Sequence, residues 1–289
     1  ALAGTIQSSL GSGDVTVNTA GDDSSDVTIP DGNKSGSAGD ITVDSDISWG
    51  SENQLTLDAA NNIIVNAVIE NTNITNGGVY FNASNDVTFT PDAKVIINNI
   101  NQLQWLNTAT NGTNIVGNYE LGSEIDASDT KTWNENNSDG YYGFMPIASG
   151  FDNSFTGVFD GLGHKITNLT INRPNSQNVG LFSDARSATI KNLTITGANI
   201  IGGNRNTGLL GIASSDIHIE NVHIKNEDGE KTTVSGGNTV GGLVGSFNQS
   251  EVTILNSSFA GIVKGTRTVG GLVGSGMDSK IENSYADAE

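Results

Sequence analysis

The sequence contains no cysteine, only four prolines among 289 residues, and no apolar run near the 18 residues that a membrane-spanning helix needs. Without cysteine there is no disulfide framework, which fits an exported bacterial protein and a cytosolic repeat protein equally well. No window keeps apolar residues at the i, i+3, i+4, i+7 spacing of an amphipathic helix. We therefore expect neither membrane insertion nor a helical fold.

Positive charge is also scarce. Thirteen lysines and arginines stand against 32 acidic residues, which gives a formal net charge of -19. So acidic a chain is a poor partner for nucleic acid or for an anionic membrane surface. We expect neither as a partner.

Two short phrases recur in the second half of the chain. One is glycine-rich (VGLF, TGLLG and VGGLVG twice), and its repeat glycines are Gly180, Gly208, Gly242 and Gly271. The other begins with isoleucine and has asparagine at its third position. Repeats of this length with insertions between them indicate one supersecondary unit per repeat. Because the phrases are short and β-branched and lie between Gly and Asn, the unit is predicted to be a coil of strands, and the fold an all-β solenoid.

The asparagine of the second phrase is predicted to sit at a corner between two strands. Asparagine tolerates a left-handed backbone better than other non-glycine residues do. Equivalent corners in successive coils would stack at the strand spacing and join their side-chain amides in a ladder. The predicted ladder consists of Asn168, Asn192, Asn221, Asn256 and Asn283. At Gly242, we expect either a positive φ or a close approach of two coils.

Three segments are predicted. Residues 1–103 carry short alternating strands, residues 104–155 form an irregular insertion or junction, and residues 156–289 carry the regular repeats. Ala1–Gly4 has no basic region, so no signal peptide is expected there. Because the chain stops just after another repeat phrase begins, we expect the repeats to continue in a longer parent protein.

Aromatic residues gather in the irregular segment. Trp133, Tyr141 and Tyr142 are candidate ligand-binding residues, because flat rings can stack on sugars while neighbouring amides bond the hydroxyls. In the alternative interpretation the aromatic residues of this segment only attach it to the coils; the residues concerned are Phe144, Phe151 and Phe155.

No cofactor and no catalytic residue is expected. Calcium is a candidate ligand of the acidic turns at Asp22, Asp23, Asp26, Asp44 and Asp46, but solvated turns are the preferred interpretation. His218 and His223 flank one repeat phrase with Glu220 nearby, but surface histidines are the simpler interpretation, so no metal site is predicted.

Two stretches resemble known families. Residues 155–169 and the GLVG phrases resemble the GLUG-type repeats of large bacterial surface proteins, including adhesins and non-catalytic parts of immunoglobulin-A proteases. Residues 47–63 resemble the repeats of two-partner-secreted exoproteins of the filamentous-haemagglutinin and high-molecular-weight adhesin group. This resemblance implies a right-handed parallel β-helix with an irregular insertion, export to the bacterial cell surface, and an outer-membrane transporter as a partner.

The sequence therefore predicts a non-enzymatic segment of a secreted surface adhesin. Its receptor would be a host-cell or matrix glycan or protein, or a bacterial surface polysaccharide. Two alternatives stay open: a carbohydrate-active β-helix whose cleft is built by residues 104–155, and a structural stalk. A lyase or hydrolase needs clustered carboxylates with a basic residue beside them. In the regular repeats the lysines and Arg267 are scattered singly.

Overall fold

The computed structural model describes residues 2–19, 27–29, 39–136, 140–150, 152–227, 229–247, 251–277 and 279–289, with residues 27–29 described by their backbone alone. The chain divides into two compact units, residues 1–123 and residues 124–289. The division falls inside the predicted irregular segment 104–155, which therefore contributes to both units.

The first unit is built from short strands and two helices. Its helices are α1 (Leu2–Leu10) and α2 (Ile100–Trp105), the latter continued by a 3₁₀ turn at Leu106–Thr108. Its strands are β1 (Val15–Asn18), β2 (Val27–Ile29), β3 (Ile41–Val43), β4 (Ile47–Trp49), β5 (Gln54–Ala59), β6 (Ile63–Val65), β7 (Val68–Asn71), β8 (Gly78–Ala83), β9 (Val87–Phe89), β10 (Lys94–Ile97), β11 (Thr110–Asn111) and β12 (Asn114–Leu121).

These strands form three parallel sheets, as expected for a coil that adds one strand to each sheet per turn. The sheet orders are β1–β5–β8, β2–β3–β6–β9 and β4–β7–β10–β12. Alternate side chains point inward, and β5 shows this as a strict alternation of half-buried and buried residues. Outside the core, Asn18 and Asn82 both donate to the carboxylate of Asp58 in the strand between them, at 2.6 and 2.7 Å.

Aromatic rings fill part of the core of the first unit. Phe89 lies between Phe81 and Tyr119, with ring centres 6.1 and 6.0 Å away. Burial raises the pKa of Tyr119, whose hydroxyl donates to the Val116 carbonyl at 2.7 Å. Helix α1 buries Ala3, Ile6 and Leu10 on one face, and sequence analysis missed it because nine residues are too few for a sustained helical period.

The second unit consists of long bent strands and shorter ones. They are β13 (Ile125–Asp126), β14 (Glu135–Asn136), β15 (Gly140–Tyr141), β16 (Phe155–Asp160), β17 (Lys165–Thr167), β18 (Thr170–Asn172), β19 (Asn178–Val179), β20 (Phe182–Thr196), β21 (Asn199–Ile201), β22 (Asn206–Thr207), β23 (Leu210–Lys225), β24 (Thr233–Ser235), β25 (Thr239–Gly241), β26 (Val244–Phe247), β27 (Val252–Leu255), β28 (Ser258–Lys264), β29 (Thr268–Gly270), β30 (Val273–Ser275), β31 (Ser279–Glu282) and β32 (Tyr285–Ala288). A 3₁₀ turn spans Ser128–Thr132.

Successive coils of the second unit pair in parallel. Strand β20 pairs along most of its length with β23, and β23 pairs onward with β26, β27 and β28. Two narrower sheets, β18–β21–β24–β28 and β19–β22–β25–β29, complete the coils. The prediction of an all-β chain of stacked parallel coils is confirmed. No helix among the described residues is long and apolar enough to cross a membrane.

Candidate functional site

The predicted ligand-binding aromatics lie on one hairpin of the second unit. Strands β14 and β15 pair antiparallel. Next to this pair, the Tyr142 amide donates to the Asn134 carbonyl at 2.8 Å. Asn134 has a left-handed backbone (φ 56°), and its side-chain amide donates to the Gly143 carbonyl at 2.7 Å. Tyr141 is 41% exposed, whereas Trp133 and Tyr142 are half-buried.

Arg173 attaches this hairpin to the coils. Its guanidinium carbon lies 5.1 Å from the centre of the Tyr142 ring, and its Nη2 donates to the Gly143 carbonyl at 3.3 Å. Of the three phenylalanines in the attachment hypothesis, Phe144 and Phe155 are fully buried, while Phe151 lies outside the described residues. Tyr142 therefore helps to hold the hairpin in place, and Tyr141 is the most exposed of the three candidate aromatic residues.

A polar cleft of about 580 Å³ lies beyond Arg173 in the second unit. One wall is formed by the beginnings of β20 and β23, and another by the loops after β18 and β21, which stack through the Gly203 amide and the Ser176 carbonyl. Residues 145–150 and 152–154 supply the remaining wall and attach to β20 through the Ser183 amide, which donates to the Ile147 carbonyl at 2.8 Å. Most lining side chains carry hydroxyls, amides or charges.

Three of the four arginines of the chain line this cleft: Arg173, Arg186 and Arg205. Arg173 is half-buried, its pKa is lowered by that burial, and its Nε has no hydrogen-bond partner among the described residues. Arg186 and Arg205 are exposed, and neither forms an ion pair with a carboxylate in the part of the chain that the structure describes. A chain of net charge -19 thus concentrates most of its arginines in one place.

Asp184 sits among these arginines. The Ser154 hydroxyl donates to its Oδ1 at 3.0 Å and the Ser214 hydroxyl to its Oδ2 at 2.8 Å. Burial raises the pKa of Asp184 despite these two bonds and the nearby Arg186. The three side chains stand on neighbouring coils, because Phe155 pairs with Ala185, and Ala185 with Ala213.

Sequence analysis missed the cleft because its arginines do not share one repeat position. Arg186 is in a strand, whereas Arg173 and Arg205 are in two different loops. Nothing in the spacing shows that the loops stack or that Arg186 lines the same cleft as they do. The distribution of arginine was the available signal. The chain has four arginines, and three of them lie between residues 173 and 205.

The predicted asparagine residues all occupy corners, with φ between 49° and 58°. Pairing of β20, β23, β27 and β31 places Asn192, Asn221, Asn256 and Asn283 in register, and the Asn221 amide donates to the Asn192 Oδ1 at 3.1 Å. Asn168 lies elsewhere: because Thr167 pairs with Thr196, its partner in the next coil is Gly197 rather than Asn192. Below Asn192 the column continues instead to Asp160, whose Oδ1 accepts the Asn192 amide at 2.9 Å.

The repeat glycines lie where coils approach closely. A Cβ at Gly242 would meet the Gly271 carbonyl oxygen and the buried Phe259 ring. At Gly180 it would meet the carbonyls of Leu209 and Gly208, at Gly208 the Gly245 amide, and at Gly271 the Ala286 side chain. None of the four has a left-handed backbone, so close approach, rather than a turn, explains the glycine.

The candidate metal ligands serve other contacts. Asp44 accepts from the Asn66 amide at 2.6 Å and Asp46 from the Val68 backbone amide at 2.9 Å, while Asp22, Asp23 and Asp26 lie outside the described residues. His218 lies 3.2 Å from Glu220, and His223 lies 2.9 Å from the Ser258 hydroxyl. Among the described residues no three His, Cys, Asp or Glu side chains form a group suited to a metal ion.

Comparison with known proteins places the regular repeats in context. The GLUG motif matches residues 265–289. The chain is 38% identical over 171 residues to halomucin of Haloquadratum walsbyi, which covers 58% of this chain and 2% of halomucin. It is 31% identical over 161 residues to the immunoglobulin A1 protease of Streptococcus sanguinis, which covers 56% of this chain and 7% of the protease. The chain therefore spans only a small part of these relatives.

A solved structure of a Bacteroides ovatus protein described as an immunoglobulin A1 protease is also similar, with a TM-score of 0.32 and 15% identity over 67% of this chain and 74% of that one. The prediction that the chain is not an enzyme is contradicted, because the Streptococcus relative carries the name of an enzyme. The two-partner-secretion group is absent from these relatives. The GLUG motif, halomucin and the protease together indicate a segment of a large surface or secreted protein.

Proposed function

We propose that this chain is an attachment segment of a large bacterial or archaeal surface protein and that its contact face is the second unit's hairpin and cleft. The carrying observation is the convergence of three of four arginines on one polar cleft, in a chain that is otherwise strongly acidic. Stacked coils hold this face on hydrogen-bonded strands, so that little order is lost on binding. Right-handed coils and export by a two-partner route belong to the same proposal.

The cleft has the composition of a site for a hydroxyl-rich ligand. Serine hydroxyls, side-chain amides and charged groups line it, and Met145, which is 41% exposed, adds apolar surface at the rim. Sites of several hundred Å³ commonly hold small ligands or the end of a larger one. The adjoining hairpin offers Tyr141 as a further contact. A glycan on a host cell, on the matrix or on another microbe is the receptor class that fits best.

The test is binding of the purified chain to arrayed glycans and matrix proteins. We expect binding to a subset of glycans, weakened when Arg186 and Arg205 become Gln and when Tyr141 becomes Ala. The control is Lys225→Gln with Lys264→Gln, which removes the same charge from two exposed lysines that do not line the cleft. Equal binding by both double variants would contradict the assignment of the contact face, and no binding by the unaltered chain would contradict the attachment function.

A second candidate follows from the immunoglobulin A1 protease among the relatives. In this candidate the longer protein is a peptidase, and the present segment holds or positions its substrate. The described residues lining the cleft include serines and carboxylates but no histidine, so the cleft lacks the usual base for a serine nucleophile. Incubation of the chain with immunoglobulin A1 separates the candidates: binding without cleavage supports a substrate-holding role, and cleavage would place chemistry within this segment.

A further inference from the structure

The arginine cleft has a charge balance that restricts its ligand. Three arginines and two carboxylates, Asp152 and Asp184, line it, so the net formal charge is 3 − 2 = +1 when both acids are ionised. A densely charged polyanion would meet these two carboxylates in the cleft and a chain of charge -19 around it. A ligand with single, separated negative charges would meet the arginines with less repulsion.

The arginines are placed to receive such a charge. Arg205 comes from the loop after β21, and its backbone follows the stacked loop of Gln177, because the Asn206 amide donates to the Gln177 carbonyl at 2.8 Å. Arg186 comes from strand β20 and lies near Asp184, but it forms no ion pair with a carboxylate among the described residues. Guanidinium groups bind carboxylates through two parallel hydrogen bonds. Two exposed guanidiniums that line the same cleft can therefore both offer donors to a bound carboxylate.

The rest of the cleft favours a sugar over a peptide as the carrier of that carboxylate. Hydroxyls and amides of Ser149, Ser176, Asn175 and Gln177 line it, and each can both donate and accept. Asp152 is an acceptor that suits hydroxyl donors, whereas both oxygens of Asp184 already accept from Ser154 and Ser214. The apolar side chains of a peptide would meet little besides Met145 and Pro146 among the described residues that line the cleft.

We propose that this cleft binds the carboxylate of an acidic oligosaccharide, with Arg186 and Arg205 holding the carboxylate and the serine and amide side chains holding the neighbouring hydroxyls. This assignment rests on the proposed attachment function and names its receptor class. Arg173 also lines the cleft. Its Nη2 donates to the Gly143 carbonyl and its guanidinium contacts the Tyr142 ring, so that it holds the hairpin as well.

The experiment is calorimetric titration of the purified chain with tri-galacturonate and with its fully methyl-esterified form, which keeps every hydroxyl and removes the charge. We expect tri-galacturonate to bind at least about tenfold more tightly, since charge-assisted bonds are about twice as strong as neutral ones. The Arg186→Gln and Arg205→Gln double variant should lose most of that difference, and the Lys225→Gln and Lys264→Gln variant should keep it. Asp184→Asn should bind severalfold more tightly because one repelling charge is gone.

Each other outcome counts against the assignment. Equal binding of the acid and its ester, or equal loss in the two double variants, would overturn it. Tighter binding of hexaglutamate would identify an acidic polypeptide instead, and tighter binding of a sulfated, carboxylate-free oligosaccharide would identify a sulfate site. Circular dichroism of each variant shows whether the coils are intact. If the chain bound neutral glycans on the array but did not bind tri-galacturonate, this inference alone would be overturned and the attachment function would stand.

Discussion

The guanidinium carbon of Arg173 lies 5.1 Å from the centre of the Tyr142 ring, a contact that joins the loop after β18 to the hairpin built from residues 133–136 and 140–143. The same side chain donates to the Gly143 carbonyl at 3.3 Å. One residue thus fixes the hairpin and lines the cleft. Because this contact adds to the backbone hydrogen bond from the Asn172 amide to the Tyr142 carbonyl at 2.9 Å, its loss should loosen the hairpin and change the shape of the cleft together.

Replacement of Tyr142 by Ala should loosen the hairpin without unfolding the coils. The cation–π contact contributes about 0.5–2 kcal/mol, and its loss should speed amide exchange in residues 133–136 and 140–143. Hydrogen exchange followed by mass spectrometry measures this. Tyr141→Ala is the matched control, because that ring is 41% exposed. Equal exchange rates in the two variants would show that Arg173 does not hold the hairpin.

Gly242→Ala should destabilise the second unit strongly. A Cβ there would meet the Gly271 carbonyl and the Phe259 ring, which is fully buried and cannot move aside. Overpacking of this kind costs about 1–3 kcal/mol, and Gly242→Val should cost more than Gly242→Ala. Urea denaturation measures the loss. Gly13→Ala is the control, since a Cβ at Gly13 has no neighbour within 4 Å; a similar small effect at both sites would refute the close-approach explanation.

Much of the fold follows from local pattern. The short alternating strands predicted for residues 1–103 occur, for example at Val15–Asn18, Ile41–Val43, Ile63–Val65 and Val87–Phe89, because alternation and flanking turn residues act over a few residues. Helix α2, inside the first unit, begins at Ile100 behind its N-cap Asn99. The Asn99 side chain accepts from the Gln102 amide at 2.9 Å, a capping signal the sequence already contained.

What depends on register between coils was harder to predict. Asn168 has the same phrase and the same left-handed backbone as Asn192, yet it pairs one corner further along. Insertions between repeats change the register without changing the phrase, so matching letters do not guarantee matching positions. The arginine cleft is hidden for the same reason, because Arg173, Arg186 and Arg205 meet only once the loop stacking is known.

Asn192 offers a direct test of the corner conformation. Its φ is 52°. Its side-chain amide donates to the Asp160 carboxylate, and its side-chain oxygen accepts from the side-chain amide of Asn221. Asn192→Gly removes the side-chain hydrogen bonds, but glycine adopts the left-handed backbone without strain. Asn192→Ala removes the same hydrogen bonds and also strains the left-handed backbone. The alanine variant should be about 1 kcal/mol less stable than the glycine variant in urea denaturation. If the glycine variant were as unstable as the alanine variant, the loss of stability would come entirely from the side-chain hydrogen bonds and not from the backbone conformation.

Asp160 should make the stability of the second unit depend on acidic pH. Burial opposes its ionisation, but hydrogen bonds from the Asn192 side chain and the Leu162 amide, together with Lys191, hold the pKa of its carboxyl below the usual value. A lowered folded pKa contributes stability that is present above the unfolded pKa of about 3.9 and is lost as pH falls through the folded pKa. Asp160→Asn should reduce this pH dependence between about pH 2 and 5. Melting curves across that range measure it, and an unchanged slope would contradict the role of Asp160.

His223 should act in a different window. Burial, and then Lys225, lowers the pKa of its imidazole, whose Nδ1 lies 2.9 Å from the Ser258 hydroxyl. Because the unfolded chain takes up this proton more readily than the folded one, stability should fall as pH drops below the unfolded value of about 6.5. His223→Gln should flatten the stability profile between about pH 5 and 7, and nuclear magnetic resonance titration of the imidazole gives its folded pKa directly. A folded pKa equal to that of the unfolded chain would remove the predicted pH dependence, and a higher one would reverse its sign.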